Sequence, residues 1–218
     1  NVERLMRRGL TCTHALTPSP LCAPARACLA NGRDYDRCGV ASNQDDYPLD
    51  CPTYYQRLRA AGYQVGGVGK FDLHKATLDW GGDGSRLLGA WGFTCGIDNE
   101  GKWDGILSGQ TDPTGPYLND LERRGLRQTH LDDFAARKGN RDATHPTPLP
   151  EDAYCDNWLT DNGLSLLRGF DRGRPWHLQV NFTGPHEPWD VTRRMAERWA
   201  REAMPPPRHG DADRIDAE

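Results

Sequence analysis

The sequence predicts an α/β protein with a mainly parallel sheet flanked by helices. Two helix–turn–strand units and the composition carry that prediction. Residues 53–61 (TYYQRLRAA), then Gly62 and YQVGGVGK, read as a helix, a glycine cap and a short strand holding Val65 and Val68. The order returns later. Over 151–169, Tyr154, Trp158, Leu159, Leu166 and Leu167 recur at helical spacing. A turn at 171–175 then leads into WHLQVNFTG, where Trp176, Leu178, Val180 and Phe182 alternate with polar neighbours, the pattern of a core strand. The chain has 218 residues, 36% of them hydrophobic, which is ample for a buried core.

Taken in order, residues 2–9 (VERLMRRG) resemble the last turns of a helix, with Val2, Leu5 and Met6 on one face and Gly9 as the cap. A proline-marked connection, TPSPLCAPAR, leads into a short helix at about 24–31, with Pro24 in its first turn and Asn31-Gly32 ending it. Residues 76–150 are rich in Gly, Asp, Pro and Arg and show little periodicity. They read as a loop-rich insertion with short helices at 118–125 and 130–138. Residues 205–218 read as a loose polar tail. The whole of 1–218 is expected to be part of one domain.

Charge and hydropathy each exclude a class of partner. Lys and Arg number 27 against 31 Asp and Glu, a net charge of -4, and no long basic stretch offers a phosphate-reading surface, so nucleic acid is not an expected partner. No run approaches the roughly 18 apolar residues of a membrane span, so no membrane partner is expected either. The seven cysteines include no CxxC pair, which argues against a zinc ribbon or a redox dithiol. They read as buried thiols, with one or two disulfides left open and a separate task reserved for Cys22.

The chemistry concentrates in SPLCAPARACLANGR, residues 19–33, which contains Cys22, Pro24 and Arg26 as Cys-x-Pro-x-Arg. A proline in the first helical turn places Cys22 at the positive end of a helix dipole. Arg26, one turn on, offers a forked, charge-assisted donor to the same face. Both features favour an anion beside Cys22. Lys70 and His186 follow the two predicted strands, where ligands collect in open α/β sheets.

This window resembles the signature of the type I, formylglycine-dependent sulfatases of the alkaline phosphatase superfamily. NVERLMRRG, YYQRLRAAGYQVGGVGKFDLHK and PWHLQVNFTGPHEPW resemble the same family, in the expected order. The resemblance implies an alkaline-phosphatase-like fold and a sulfuric ester hydrolase. In that family a maturation enzyme oxidises the signature cysteine to formylglycine. One hydroxyl of the aldehyde hydrate attacks sulfur, and the second lets sulfate leave by C–O cleavage, so one hard step becomes two easier ones. Carried over, Cys22 is the nucleophile precursor and a metal ligand, and Arg26 stabilises the hydrate. Lys70 holds sulfate oxygens, and His186 contacts sulfate or assists the leaving group. The implied cation is Ca2+, with Mg2+ as the alternative, and the implied substrate is a small-molecule or sugar sulfate ester.

The sequence departs from the family in places. The usual form is Lys-Trp-His, whereas here Lys70-Phe71-Asp72-Leu73-His74 puts Asp72 in the histidine's place and makes His74 a displaced candidate for its acid–base role. The acidic pairs of the family's metal site have no counterpart, because Asp45-Asp46 and Asp132-Asp133 read as solvated loop or helix-cap residues. The chain therefore reads as an internal piece, truncated at both ends and not expected to turn over substrate alone. Two alternatives stand beside a sulfatase: a phosphonate or phosphate monoester hydrolase on the same scaffold, and a non-catalytic binding protein.

Overall fold

The computed structural model describes residues 2–108, 115–138, 140, 143–200, 202–203 and 206. Its sheet consists of β1 (Gln64–Gly69), β2 (Cys95–Asp98) and β3 (Trp176–Asn181), all parallel in the order β2–β1–β3. The helices are α1 (Val2–Met6), α2 (Cys22–Asn31), α3 (Tyr54–Ala60), α4 (Leu88–Trp91), α5 (Trp103–Ser108), α6 (Pro116–Arg123), α7 (Arg127–Arg137), α8 (Cys155–Gly169) and α9 (Arg193–Trp199). In register, Val68 stands opposite Ile97 on one side and Val180 on the other.

The middle strand separates two apolar layers. Val65 and Val68 lie three residues apart, on opposite faces of the pleat, and both are fully buried. Val65 packs with Ala23, Ala27, Tyr55, Phe71 and Phe93, beside α2 and α3. Val68 packs with Tyr117, Leu118, Leu121 and Leu159, beside α6 and α8. Helix α3 begins in a full capping box, in which the Thr53 hydroxyl accepts from Gln56 N and the Gln56 side chain accepts from Thr53 N.

Several expectations change. Helix α2 starts at Cys22 rather than near 24, and Gly32 ends it in the left-handed conformation (φ 67°). Helix α1 is shorter than expected and buries none of its residues. The stretch 76–150 contains a sheet strand and four helices among the described residues, so it is less of a loop insertion than its composition predicts. The missed strand, β2, reads CGID and has a single β-branched residue. Its Gly96 lies so close to Gly67 that a side chain there would overlap the Gly67 carbonyl. Among the described residues β3 lies at one side of the sheet and is only half-buried, with Trp176 and Phe182 exposed, which corrects its reading as a core strand. Asp133 is buried in an ion pair with Arg137 at 3.0 Å, not solvated. Apart from Pro206, which is exposed, the tail at 205–218 lies outside the described residues.

Candidate active site

The site is built on the N-terminus of α2. Leu21 at the N-cap is extended and offers no side-chain oxygen, so the cap comes from elsewhere. Asn43 Oδ1 accepts from the Ala23 amide at 3.0 Å and from Cys22 Sγ at 3.3 Å. Asp45 shapes the loop that presents it, accepting from the amides of Ala41 at 3.1 Å and Ser42 at 2.8 Å. Cys22 is therefore held at the first helical position, half-buried, and opens onto a cleft of about 760 Å³. Arg26, Asn43, Ser19, Leu29 and His186 also line that cleft.

Behind Arg26 lies a cluster of charge at the C-terminal end of β1. The Lys70 carbonyl accepts from Arg26 Nη1 at 2.6 Å and from Asn181 Nδ2 at 3.1 Å, which ties α2 to the ends of β1 and β3. The Lys70 ammonium is buried and does not line the cleft; it pairs with Asp72 Oδ2 at 3.2 Å. Arg26 Nε reaches the same oxygen at 3.6 Å, and Lys75 Nζ lies 3.9 Å from Oδ1. Lys75 also pairs with Asp104. Asp72 has a left-handed backbone (φ 51°), a conformation that Asp tolerates better than most residues. Nearby, Asp98 accepts from Phe71 N at 3.3 Å, and burial holds its carboxyl well above the ordinary carboxylate range.

His186 stands exposed on the cleft wall. Its Nδ1–H donates to the Glu187 carbonyl at 2.8 Å, which leaves Nε2 as the second ring nitrogen. Buried Lys102 holds this loop. It donates to the carbonyls of His186 at 3.0 Å and Pro188 at 3.1 Å and pairs with Asp190. Asp156, near the start of α8, accepts from the Thr183 amide and hydroxyl, each at 2.9 Å. His74 is placed elsewhere: it is buried, its ring lies edge-on to Trp80 at 5.9 Å and Trp91 at 6.2 Å, and it does not line the cleft. Burial lowers its pKa, and its Nε2 has no hydrogen-bond partner among the described residues.

All seven cysteines are free thiols. Burial and the neighbouring Cys38 push the Cys28 thiol up to about 11, and burial raises that of Cys155 as well. A buried thiol held protonated is inert, whereas Cys22 is half-buried beside a helix N-terminus and an arginine.

The Sulfatase family model matches residues 1–208. The chain belongs to the sulfatase family. Over 209 residues it is 23% identical to an N-acetylglucosamine-6-O-sulfatase of Bacteroides thetaiotaomicron, covering 96% of this chain and 27% of that protein. It is 24% identical to a multifunctional alkaline phosphatase superfamily protein, PehA, of Trinickia caryophylli, covering 95% of this chain and 40% of that protein. A solved structure in complex with its substrate D-glucosamine-2-N,6-O-disulfate matches with a TM-score of 0.58 at 19% identity, over 94% of this chain and 33% of that one. The sulfatase chain thus has the α/β, alkaline-phosphatase-like fold, and it spans roughly a quarter to two fifths of the length of these curated relatives.

Within this sulfatase chain the cleft brings together Cys22, Arg26 and His186, while Lys70 adjoins it through Asp72. Asn43, Lys75 and Lys102 escaped the sequence reading. Each acts through a residue distant in sequence, and only the polar run SNQDD hinted at the first. The described residues do not by themselves fit the divalent cation that sulfatases imply. Calcium takes six to eight oxygens, and no group of three or more His, Cys, Asp or Glu among the described residues could hold a metal ion.

Proposed function

We propose that this chain carries the nucleophile of a sulfuric ester hydrolase, with Cys22 converted to formylglycine by a separate maturation enzyme. One observation carries the reading: a single cleft holds Cys22 at the head of α2 with Arg26 and His186 on its walls. Formylglycine at this position, once hydrated, supplies a hydroxyl that attacks sulfur and a second that lets sulfate leave. The chain's own residues do the rest. The α2 amides and the Arg26 guanidinium turn positive charge toward an anion at position 22. Asn43 fixes the direction of the side chain at 22 through the oxygen that now accepts from the thiol. Arg26 and, from behind it, Lys70 stabilise charge that develops on the sulfuryl oxygens, a contribution of a few kcal/mol in such sites. The exposed His186 is the donor available to a departing alcohol, and Lys102 holds its loop in place. No step is assigned to His74 or to a cation.

The substrate class is a small-molecule or sugar sulfate ester. A relative named for a sugar sulfate and a structural neighbour with a disulfated glucosamine both support the sugar form. The PehA relative, at similar identity, supports a second reading as a phosphonate or phosphate monoester hydrolase. Two measurements test the proposal. Peptide mass analysis of the protein from its native host should find the Cys22 peptide lighter than the thiol form by about 18 Da, the change that oxidation to the aldehyde produces. An intact thiol there overturns the reading. Full-length protein should hydrolyse aryl sulfates faster than aryl phosphates, Cys22→Ala should abolish the activity, and the reverse preference would establish the second reading instead.

A further inference from the structure

Asp72 is a buried carboxylate that meets three cations at once. Its side chain is 1% exposed and lies within 4 Å of Arg26, Lys70 and Lys75. Asp104 pairs with Lys75 from α5, and Asp98 approaches from the end of β2, where burial disfavours its charge. Arg26 in the cleft wall, Lys70 and Lys75 behind it, Asp72 and Asp104 thus form one charge cluster at the cleft. A neutral residue at position 72 makes that cluster one unit more positive.

This difference acts on charge rather than shape. A sulfate monoester carries one negative charge. A phosphate monoester, whose second pKa is about 6, carries nearly two at neutral pH. Both are tetrahedral, so shape barely separates them, whereas a site with one unit less positive charge penalises the dianion about twice as much as the monoanion. We propose that Asp72 sets the charge selectivity of this anion site, its carboxylate among Arg26, Lys70 and Lys75 favouring singly charged sulfate esters over doubly charged phosphate esters. The proposal rests on the sulfate-ester reading of the cleft. Asp72 lies behind Arg26 and acts through it, so it is a specificity-determining residue rather than a catalytic one.

The test is binding, in full-length protein carrying Cys22→Ala so that esters stay intact. Dissociation constants of phenyl sulfate and phenyl phosphate are measured by calorimetry, with and without Asp72→Asn. Asn keeps the side-chain size and tolerates the left-handed backbone. At pH 8 the substitution should strengthen phenyl phosphate about tenfold more than phenyl sulfate, the order expected for one extra charge at an effective dielectric of about 20. At pH 5 phenyl phosphate is a monoanion, and the differential gain should disappear; a merely structural role would not follow the ligand's charge. Asp72→Gly, which also suits the backbone, should repeat the result if the Asn variant fails to melt cooperatively. An unchanged phosphate-to-sulfate ratio at pH 8 in a folded variant overturns the role of Asp72 and leaves the hydrolase reading intact. Failure of both esters to bind the parent protein overturns the reading of the cleft and the inference with it.

Discussion

Asn43 performs two tasks with one oxygen, capping α2 through the Ala23 amide and accepting from Cys22 Sγ. Asn43→Ala should lower stability by about 1 kcal/mol, the usual cost of a lost cap, as read from denaturant unfolding. Its cost in activity should be larger, because the side chain at 22 loses its orienting contact. Lys102 behaves differently. Its ammonium has three protons and three oxygen partners, on His186, Pro188 and Asp190. Lys102→Met leaves Asp190 buried without its cation, so unfolding should report a loss of about 3–5 kcal/mol. The i,i+4 relation of Cys22 and Arg26 was legible in the sequence because one helix face decides it. The partners of Lys102 were not, because they belong to a loop that only packing brings near.

At the scale of elements, the glycines of the central strand β1 let aromatic rings close on the sheet. A Cβ at Gly67 would lie 2.5 Å from Phe93 Cε1 and 2.6 Å from Phe71 Cζ. Gly67→Ala should therefore destabilise the protein by about 1–3 kcal/mol through overpacking, measured as a lower midpoint in denaturant. Gly69, with φ 115°, sits against the Asn181 carbonyl, where no side chain fits, and this close approach lets the Lys70 amide reach that carbonyl at 3.1 Å. The helices α3 and α8 and the strand β3 were legible because each has a clear period and a turn beside it, and β1 was legible because it follows a helix and a glycine cap. β2 was not, since a strand of Cys, Gly, Ile and Asp gains its stability from neighbours rather than from its own side chains.

Over the whole molecule, two buried groups in the α6–α7 layer tilt stability in opposite directions with pH. Burial raises Glu100 from 4.5 to about 7, although its carboxylate accepts from Leu118 N at 2.8 Å and Tyr117 N at 3.2 Å. The unfolded chain then loses this proton first, so Glu100 costs stability as pH rises from about 4.5 to about 7. Burial lowers His130, packed edge-on to Tyr117, from 6.5 to about 4. The unfolded chain gains that proton first, so the His130 contribution is complete above about 6.5 and is lost as pH falls toward about 4. Each tilt amounts to about 3 kcal/mol. Relative to the parent protein, Glu100→Gln should gain stability as pH rises through its window, and His130→Leu should gain stability as pH falls through its own. Chemical denaturation at several pH values measures both, and parallel curves would show that neither group titrates as described.

The sequence by itself determined the local features of this sulfatase chain. These are the helix that contains Pro24, the strand β3 read from its alternating side chains, and the Cys22–Arg26 pair on one helical face. Such features depend on residues a turn or less apart, and covalent geometry carries them. Tertiary structure decided which distant groups meet. It put His186 and Asn43 at the Cys22 cleft, turned the Lys70 ammonium onto Asp72, and enclosed His74 between two tryptophans. Those outcomes depend on how layers pack and where buried charge finds a partner, and no spacing along the chain encodes either.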